Sequence, residues 1–261
     1  MAEARVWIAA LRDSHDRLIS ILDSLSPDQL TGPSDCNDWT IAQVLSHLGS
    51  GAEIFSIFIE AGLGDGQAPG REIFPAIWDA WNAKDPVRQA EDFKGADTAL
   101  VEQFESLDDK QLEDFKIALF GTEFDAVGVL GMRLSELALP SWDVAVVLDP
   151  LARLRQAATD LLIDKLEQRA GQLGKPVGGP MRVHIKTSDP ARTFTLEVGE
   201  EVSLVAGSEQ AGGNGNQPHV QIPAEAFIRL TAGRMDPDHT PANVKADGVD
   251  LDSVRAVFPG Y

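Results

Sequence analysis

His47 and Glu136 are the two side chains whose types and setting suit a metal ion. They lie on separate helical patterns, and each borders an apolar seam. Imidazole and carboxylate projecting from facing helices are the usual donors of a metal site in a helical bundle. A catalytic zinc ordinarily takes three protein ligands and keeps a fourth position open. One helix tends to supply two of the three at a spacing of three or four, because those positions share a face. Counted from Glu136, these positions are Leu139 and Pro140, and neither side chain has a donor atom. Asp143 lies two turns beyond Glu136, roughly 10 Å along an ideal helix. One ion reaches both only if Pro140 bends the axis. His15 is the other candidate third donor, although a lone histidine on an apolar seam is more often a hydrogen-bonded core residue.

The other histidines carry less. His184 alternates with Val183 and Ile185, which places it on the outer face of a strand, and His219 and His239 adjoin prolines in expected loops. No glycine-rich phosphate loop, GxSxG elbow or paired-cysteine motif is present. The run Gly212-Gly213-Asn214-Gly215 opens no helix and reads as a plain loop within a flexible stretch from Gln210 to Gln217.

The elements that must position His47 and Glu136 are helices. Ile8, Leu11, His15, Leu18, Leu22 and Leu25 recur at alternating spacings of three and four, a bundle seam ended by Ser26-Pro27. Thr40 and Gln43 form a capping box that opens the helix carrying His47. Gly49 and Gly51 follow His47 inside that helix. Each costs about 1 kcal/mol relative to alanine, so they imply close helix packing or space left for a ligand. Residues 61–70 read as a loop, followed by a short helix through Ile77 and Trp81. Asp85-Pro86 opens a third long helix, with Asp at the N-cap and Pro at its first position. A fourth is expected from near Thr122, with a second stripe of Arg133, Glu136, Pro140, Asp143 and Val147 beside its seam. That stripe sets Glu136 and Asp143 at the border of the interior rather than in open water.

Asp149-Pro150 marks a boundary, and a fifth helix is expected over about 151–169. The pattern then turns to period two at Val183–Ile185, Phe194–Val198, Val202–Leu204 and Val220–Ile222, with helices after Pro223 and over Leu251–Val257. The fold class is thus α plus α+β: a four-helix bundle over residues 1–149, then a linker helix and a small α+β domain over 150–261.

Composition narrows the partners. The 261 residues carry a net charge of −19, and such a surface repels phosphate backbones and anionic lipid. Nucleic acid and membrane are therefore excluded as expected partners. Cys36 is the single cysteine, so neither an internal disulfide nor a cysteine-based zinc site is available. No stretch approaches the roughly 20 apolar residues of a membrane span, and the charged amphipathic start is unlike a secretory signal. Cytoplasm is the expected location. No residue pattern fixes an oligomeric state.

Three separated segments resemble one family. Asp38-Trp39-Thr40-Ile41-Ala42-Gln43-Val44-Leu45-Ser46-His47-Leu48 is similar to the first metal-ligand motif of the mycothiol-dependent maleylpyruvate isomerase family. The stretch from Met132 to Asp143 is similar to its second motif. Pro223–Phe227, Leu230–Arg234 and Val257–Gly260 are similar to its last segment. The resemblance implies a DinB-like bundle followed by a sterol-carrier-like domain. It implies a divalent metal, zinc first, with His47 and Glu136 as ligands and mycothiol as co-substrate. The family's third ligand, a histidine, falls on Pro140, while Asp143 matches an aspartate just beyond it. The implied chemistry is thiol-dependent isomerisation or thiol transfer on a small-molecule substrate, with Asp143 orienting a ligand or water and Arg234 binding a substrate carboxylate. Arg234 is equally readable as an exposed turn arginine. The alternative is a family member without a competent site, binding a small molecule or a protein in a groove between its domains.

Overall fold

The computed structural model describes residues 2–36, 38–207 and 217–260, and the chain divides into two compact units, Met1–Ala158 and Thr159–Tyr261. The Gly212–Gly215 run and the expected loop up to residue 216 lie outside the described residues.

The first unit is built on four long helices: α1 (Ala2–Leu22), α3 (Ile41–Leu63), α5 (Pro86–Ser106) and α7 (Ala126–Val146). Short helices α2 (Pro27–Leu30), α4 (Phe74–Asn82) and α6 (Asp109–Asp114) lie between them. The contacts α1–α7, α7–α3, α3–α5 and α5–α1 close a ring, the arrangement of a four-helix bundle. Its core is the set of seam residues, among them Leu11, Leu18, Val44, Leu48, Phe93, Leu100, Leu130, Leu134 and Leu137, each 1% exposed or less. The helix starts follow the local chemistry. Thr40 Oγ1 accepts from the Gln43 N–H while Gln43 Oε1 accepts from the Thr40 N–H, at 3.2 and 2.8 Å. Asp85 Oδ1 accepts from the N–H groups of Val87 and Arg88.

The fourth long helix begins later than expected. Residues Thr122–Phe124 are a strand, β2, paired antiparallel with β1 (Ile117–Leu119). Phe120 and Gly121 connect them with φ of 54° and 86°, the two left-handed residues of a type I′ hairpin. Asp125 then caps α7, its carboxylate accepting from the Gly128 N–H at 2.8 Å.

The expected helix over 151–169 is replaced by a turn and two shorter pieces. Asp149 accepts from the N–H groups of Leu151 and Ala152, which turns the chain. Helices α8 (Gln156–Leu162) and α9 (Leu166–Leu173) follow, separated by a 3-10 turn. The second unit holds a five-stranded sheet of β3 (Met181–Ser188), β4 (Thr193–Val198), β5 (Val202–Ala206), β6 (His219–Pro223) and β7 (Lys245–Asp247) in the order β5-β4-β3-β6-β7. Among the described residues of this sheet, only β3 and β6 pair in parallel. Helices α10 (Ala224–Thr231) and α11 (Leu251–Val257) complete the unit. His219 begins a strand opposite His184 rather than lying in a loop. Strand β7, Lys-Ala-Asp, is wholly exposed and has no apolar alternation by which a sequence pattern could reveal it.

Candidate functional site

Two capped helices bring His47 and Glu136 together. His47 lies two turns into α3 from its Thr40 cap, and Glu136 three turns into α7 from its Asp125 cap. His47 Nε2 stands 3.3 Å from Glu136 Oε2, with the side chains 38% and 49% exposed. Two donors on one tetrahedral zinc, each about 2.0–2.2 Å from it, stand about 3.3–3.5 Å apart. The pair therefore fits the spacing that a shared ion imposes. The Trp39 ring, 5.5 Å from the His47 ring between centroids, forms an apolar wall beside it.

The remaining candidate ligands do not join the pair. Among the described residues, His47 and Glu136 belong to no group of three His, Cys, Asp or Glu whose donor atoms all lie within 4.8 Å of one another. Pro140 is buried, and α7 stays one helix through it. Asp143 therefore keeps its place two turns on, fully buried, and its backbone carbonyl accepts from the Asp35 N–H at 3.0 Å. Glu136 is half exposed, so the stripe expected at the border of the interior divides into an open position and a closed one.

His15 is committed elsewhere. Its Nδ1 lies 2.7 Å from Asp97 Oδ2 and its Nε2 3.3 Å from the Thr98 hydroxyl. Asp97 also pairs with Arg133, at 2.5 Å from Oδ1 to Nη2. Burial pushes the Asp97 carboxyl up, but the Arg133 charge and the hydrogen bonds from His15 and Arg133 outweigh it and hold it below its ordinary range. The sequence did carry a signal for this network. Asp97 falls on the same apolar stripe as Phe93 and Leu100, an acid where the pattern asks for a hydrophobe.

The glycines after His47 admit neighbours and do not keep a cavity. A Cβ on Gly49 would come within 2.2 Å of the Trp81 ring, and one on Gly51 within 3.1 Å of Arg133 Nη1. The Trp81 Nε1–H donates to Glu53, one turn along the same helix from Gly49, at 2.9 Å.

Arg234 belongs to the second unit. Its N–H donates to the Arg229 carbonyl at 2.8 Å and its Nη1 to the Ala232 carbonyl at 3.1 Å. Gly233 before it has φ of 72°, and a Cβ there would meet Gly260 at 2.4 Å, so the Gly-Arg turn is packed against the chain just before its last residue.

A four-helix bundle with a half-exposed His–Glu pair between two of its helices, followed in sequence by a mixed α/β unit, defines the class of fold. The chain belongs to the family described as mycothiol maleylpyruvate isomerase N-terminal domain, whose model matches residues 11–145, more than half of the sequence. Two solved structures share the fold over nearly the whole chain. The mycothiol-dependent maleylpyruvate isomerase superposes with a TM-score of 0.67 at 12% identity, covering 93% of this chain and 92% of that one. A mutant of a mycothiol-dependent maleylpyruvate isomerase superposes with a TM-score of 0.66 at 13% identity and the same coverage. At these identities the likeness is one of fold. No curated protein matches the sequence. Among the described residues no helix is long and apolar enough to cross a membrane.

Proposed function

We propose that the chain is a small-thiol-dependent metalloenzyme of the isomerase or thiol-transferase type, with mycothiol as the thiol and a divalent ion, zinc first, at His47 and Glu136. The observation that carries this reading is the 3.3 Å approach of His47 Nε2 to Glu136 Oε2 in a half-exposed position. A bound divalent ion supplies one thing, a lowered pKa that presents the thiol as thiolate. The chain's own residues do the rest. His47 and Glu136 would hold the ion, one from α3 and one from α7. Trp39 shields one side from water. Asp143 is fully buried, so the part proposed for it is not the expected one of orienting a ligand or water but a structural one, its backbone carbonyl accepting from the Asp35 N–H. Arg234 is proposed, on residue type, to bind a substrate carboxylate.

In the isomerase form, the thiolate adds to an activated cis double bond. Rotation about the new single bond and elimination of the thiolate then give the trans isomer and return the thiol. In the transferase form, the thiolate sulfur bonds to an electrophilic carbon, and the thiol's proton goes to the group that carbon releases or, on addition to a double bond, to the neighbouring carbon. The acidic charge and single cysteine support a cytoplasmic setting with small molecules as the partners.

Metal content by mass spectrometry on the untagged wild type and His47→Ala tests the reading. About one zinc or similar ion per chain, lost in the variant, is expected. No metal in either, even after incubation with zinc, would sink it. A second reading is favoured by Pro140, which provides no donor where the family's third ligand is expected. On that reading the bundle is a binding module without catalysis, and the metal-free outcome selects it.

A further inference from the structure

The bundle holds a second histidine–carboxylate pair that the proposed reaction does not use. His15 of α1 meets Asp97 of α5, and Asp97 meets Arg133 of α7. The same Arg133 Nη2 donates to the carbonyl of Leu48 on α3 at 3.3 Å. Helices α3, α5 and α7 thus meet at one guanidinium, and α1 is joined to it through Asp97. Arg133 and Asp97 are fully buried and His15 is 3% exposed. Arg133 Nε is the one buried side-chain nitrogen or oxygen without a hydrogen-bond partner among the described residues.

Stability does not account for this arrangement. Apolar side chains of similar volume would fill the same space without desolvating two charges and without orphaning a donor. What they would lack is direction. Arg133 stands three residues before Glu136 on α7, and Leu48 directly follows His47 on α3. A hydrogen bond between those two points fixes the rise and rotation of one donor helix against the other. Gly51, one turn beyond His47, leaves room for the guanidinium.

We propose that Arg133, held by Asp97 and through it by His15, is the positioning residue of the His47–Glu136 site, setting the separation of the two donors for a divalent cation. The inference rests on the metal-site reading of that pair.

The test uses the full chain and the double variant Asp97→Leu with Arg133→Met, which removes both charges together and refills their space. Three quantities are measured: the melting temperature, the affinity for Zn²⁺ by chelator competition, and the His47–Glu136 separation in a crystal of the metal-free protein. The expected result is a melting temperature near wild type, a zinc affinity about 10–100-fold lower, and donors displaced from 3.3 Å. Wild-type affinity with an unchanged separation would overturn the proposal, because the helices would then align without the guanidinium. Should the double variant not fold, Arg133→Lys keeps the positive charge near Asp97, but its shorter side chain ends before the Nη2 position from which both Asp97 and Leu48 are reached, and the same readouts decide. Should the wild type bind no zinc, the metal reading fails by itself. The separation in the variant crystal then decides alone: a changed one supports the positioning role and an unchanged one overturns it.

Discussion

His47 and Glu136 meet at 3.3 Å with 38% and 49% of their side chains exposed, whereas His15 and Asp97 meet at 2.7 Å with 4% and 0% exposed. Each pair sets a histidine against a carboxylate, and both bridge helices of one bundle. Water makes the difference. A solvated pair is screened and contributes about 0–1 kcal/mol, so its contact can be exchanged for an ion at small cost. A buried charge has no such exchange available. Breaking its pairing costs about 3–5 kcal/mol, which ties Asp97 to its partners for as long as the bundle is folded. The outer pair has the properties of a site and the inner pair those of a joint.

The contrast would break most visibly at Arg133. Arg133→Met alone strands the Asp97 carboxylate in the core, and a loss of about 3–5 kcal/mol is expected from denaturant unfolding. A loss below about 1 kcal/mol would place the inner pair in the same energetic class as the outer one.

Acid comes next. The folded Asp97 carboxyl titrates below its ordinary value of 3.8, so around that pH the unfolded chain binds more protons and stability rises with pH. The contribution is fully present above the ordinary carboxyl range and is lost as pH falls through the lower folded value. Asp97→Asn is expected to flatten that part of an unfolding profile measured between pH 6 and pH 2, values taken from the ordinary carboxyl range of about 4. A variant profile parallel to wild type would show that Asp97 is not the group responsible.

The smallest stability effect belongs to the outer pair. Glu136→Gln is expected to shift stability by no more than about 0.5 kcal/mol while zinc per chain falls, as read by calorimetry and metal analysis on one preparation. A large loss of stability would mean that the outer pair is structural too.

Much of this was legible in the residues. Thr40 with Gln43 and Asp85 with Pro86 mark helix starts because their side chains or missing N–H answer the needs of a first turn. The strands of the second unit were visible where Val, Ile, Leu and Phe alternate. The hairpin before α7 was not, because Phe120 gives no hint of a positive φ. His47 and Glu136 could be nominated from residue type and resemblance, but their approach depends on helix rotation, which no spacing encodes. The inner network was hidden for a related reason: His15 and Asp97 each look like a blemish on an apolar stripe, Arg133 lies on the stripe shared with Glu136 and Asp143, and only the packing makes them one feature.

Pro140 has a further consequence. It sits inside α7, which runs on through it from Ala126 to Val146, and it offers no N–H to the carbonyl of Glu136. A helix lacking a rung bends there more cheaply than elsewhere. Below that point Arg133 is locked in the core, and above it the Trp142 indole N–H is tied to the Ala152 carbonyl at 2.9 Å. Glu136 thus occupies the compliant turn between two anchored ones. Arg133 sets the separation at which the two donors rest, and the missing rung leaves the Glu136 carboxylate a small adjustment about it, so ions of similar radius are told apart by intrinsic affinity and abundance more than by a stiff cage. If the site is loaded in the cell, its metal would be set by supply more than by the protein.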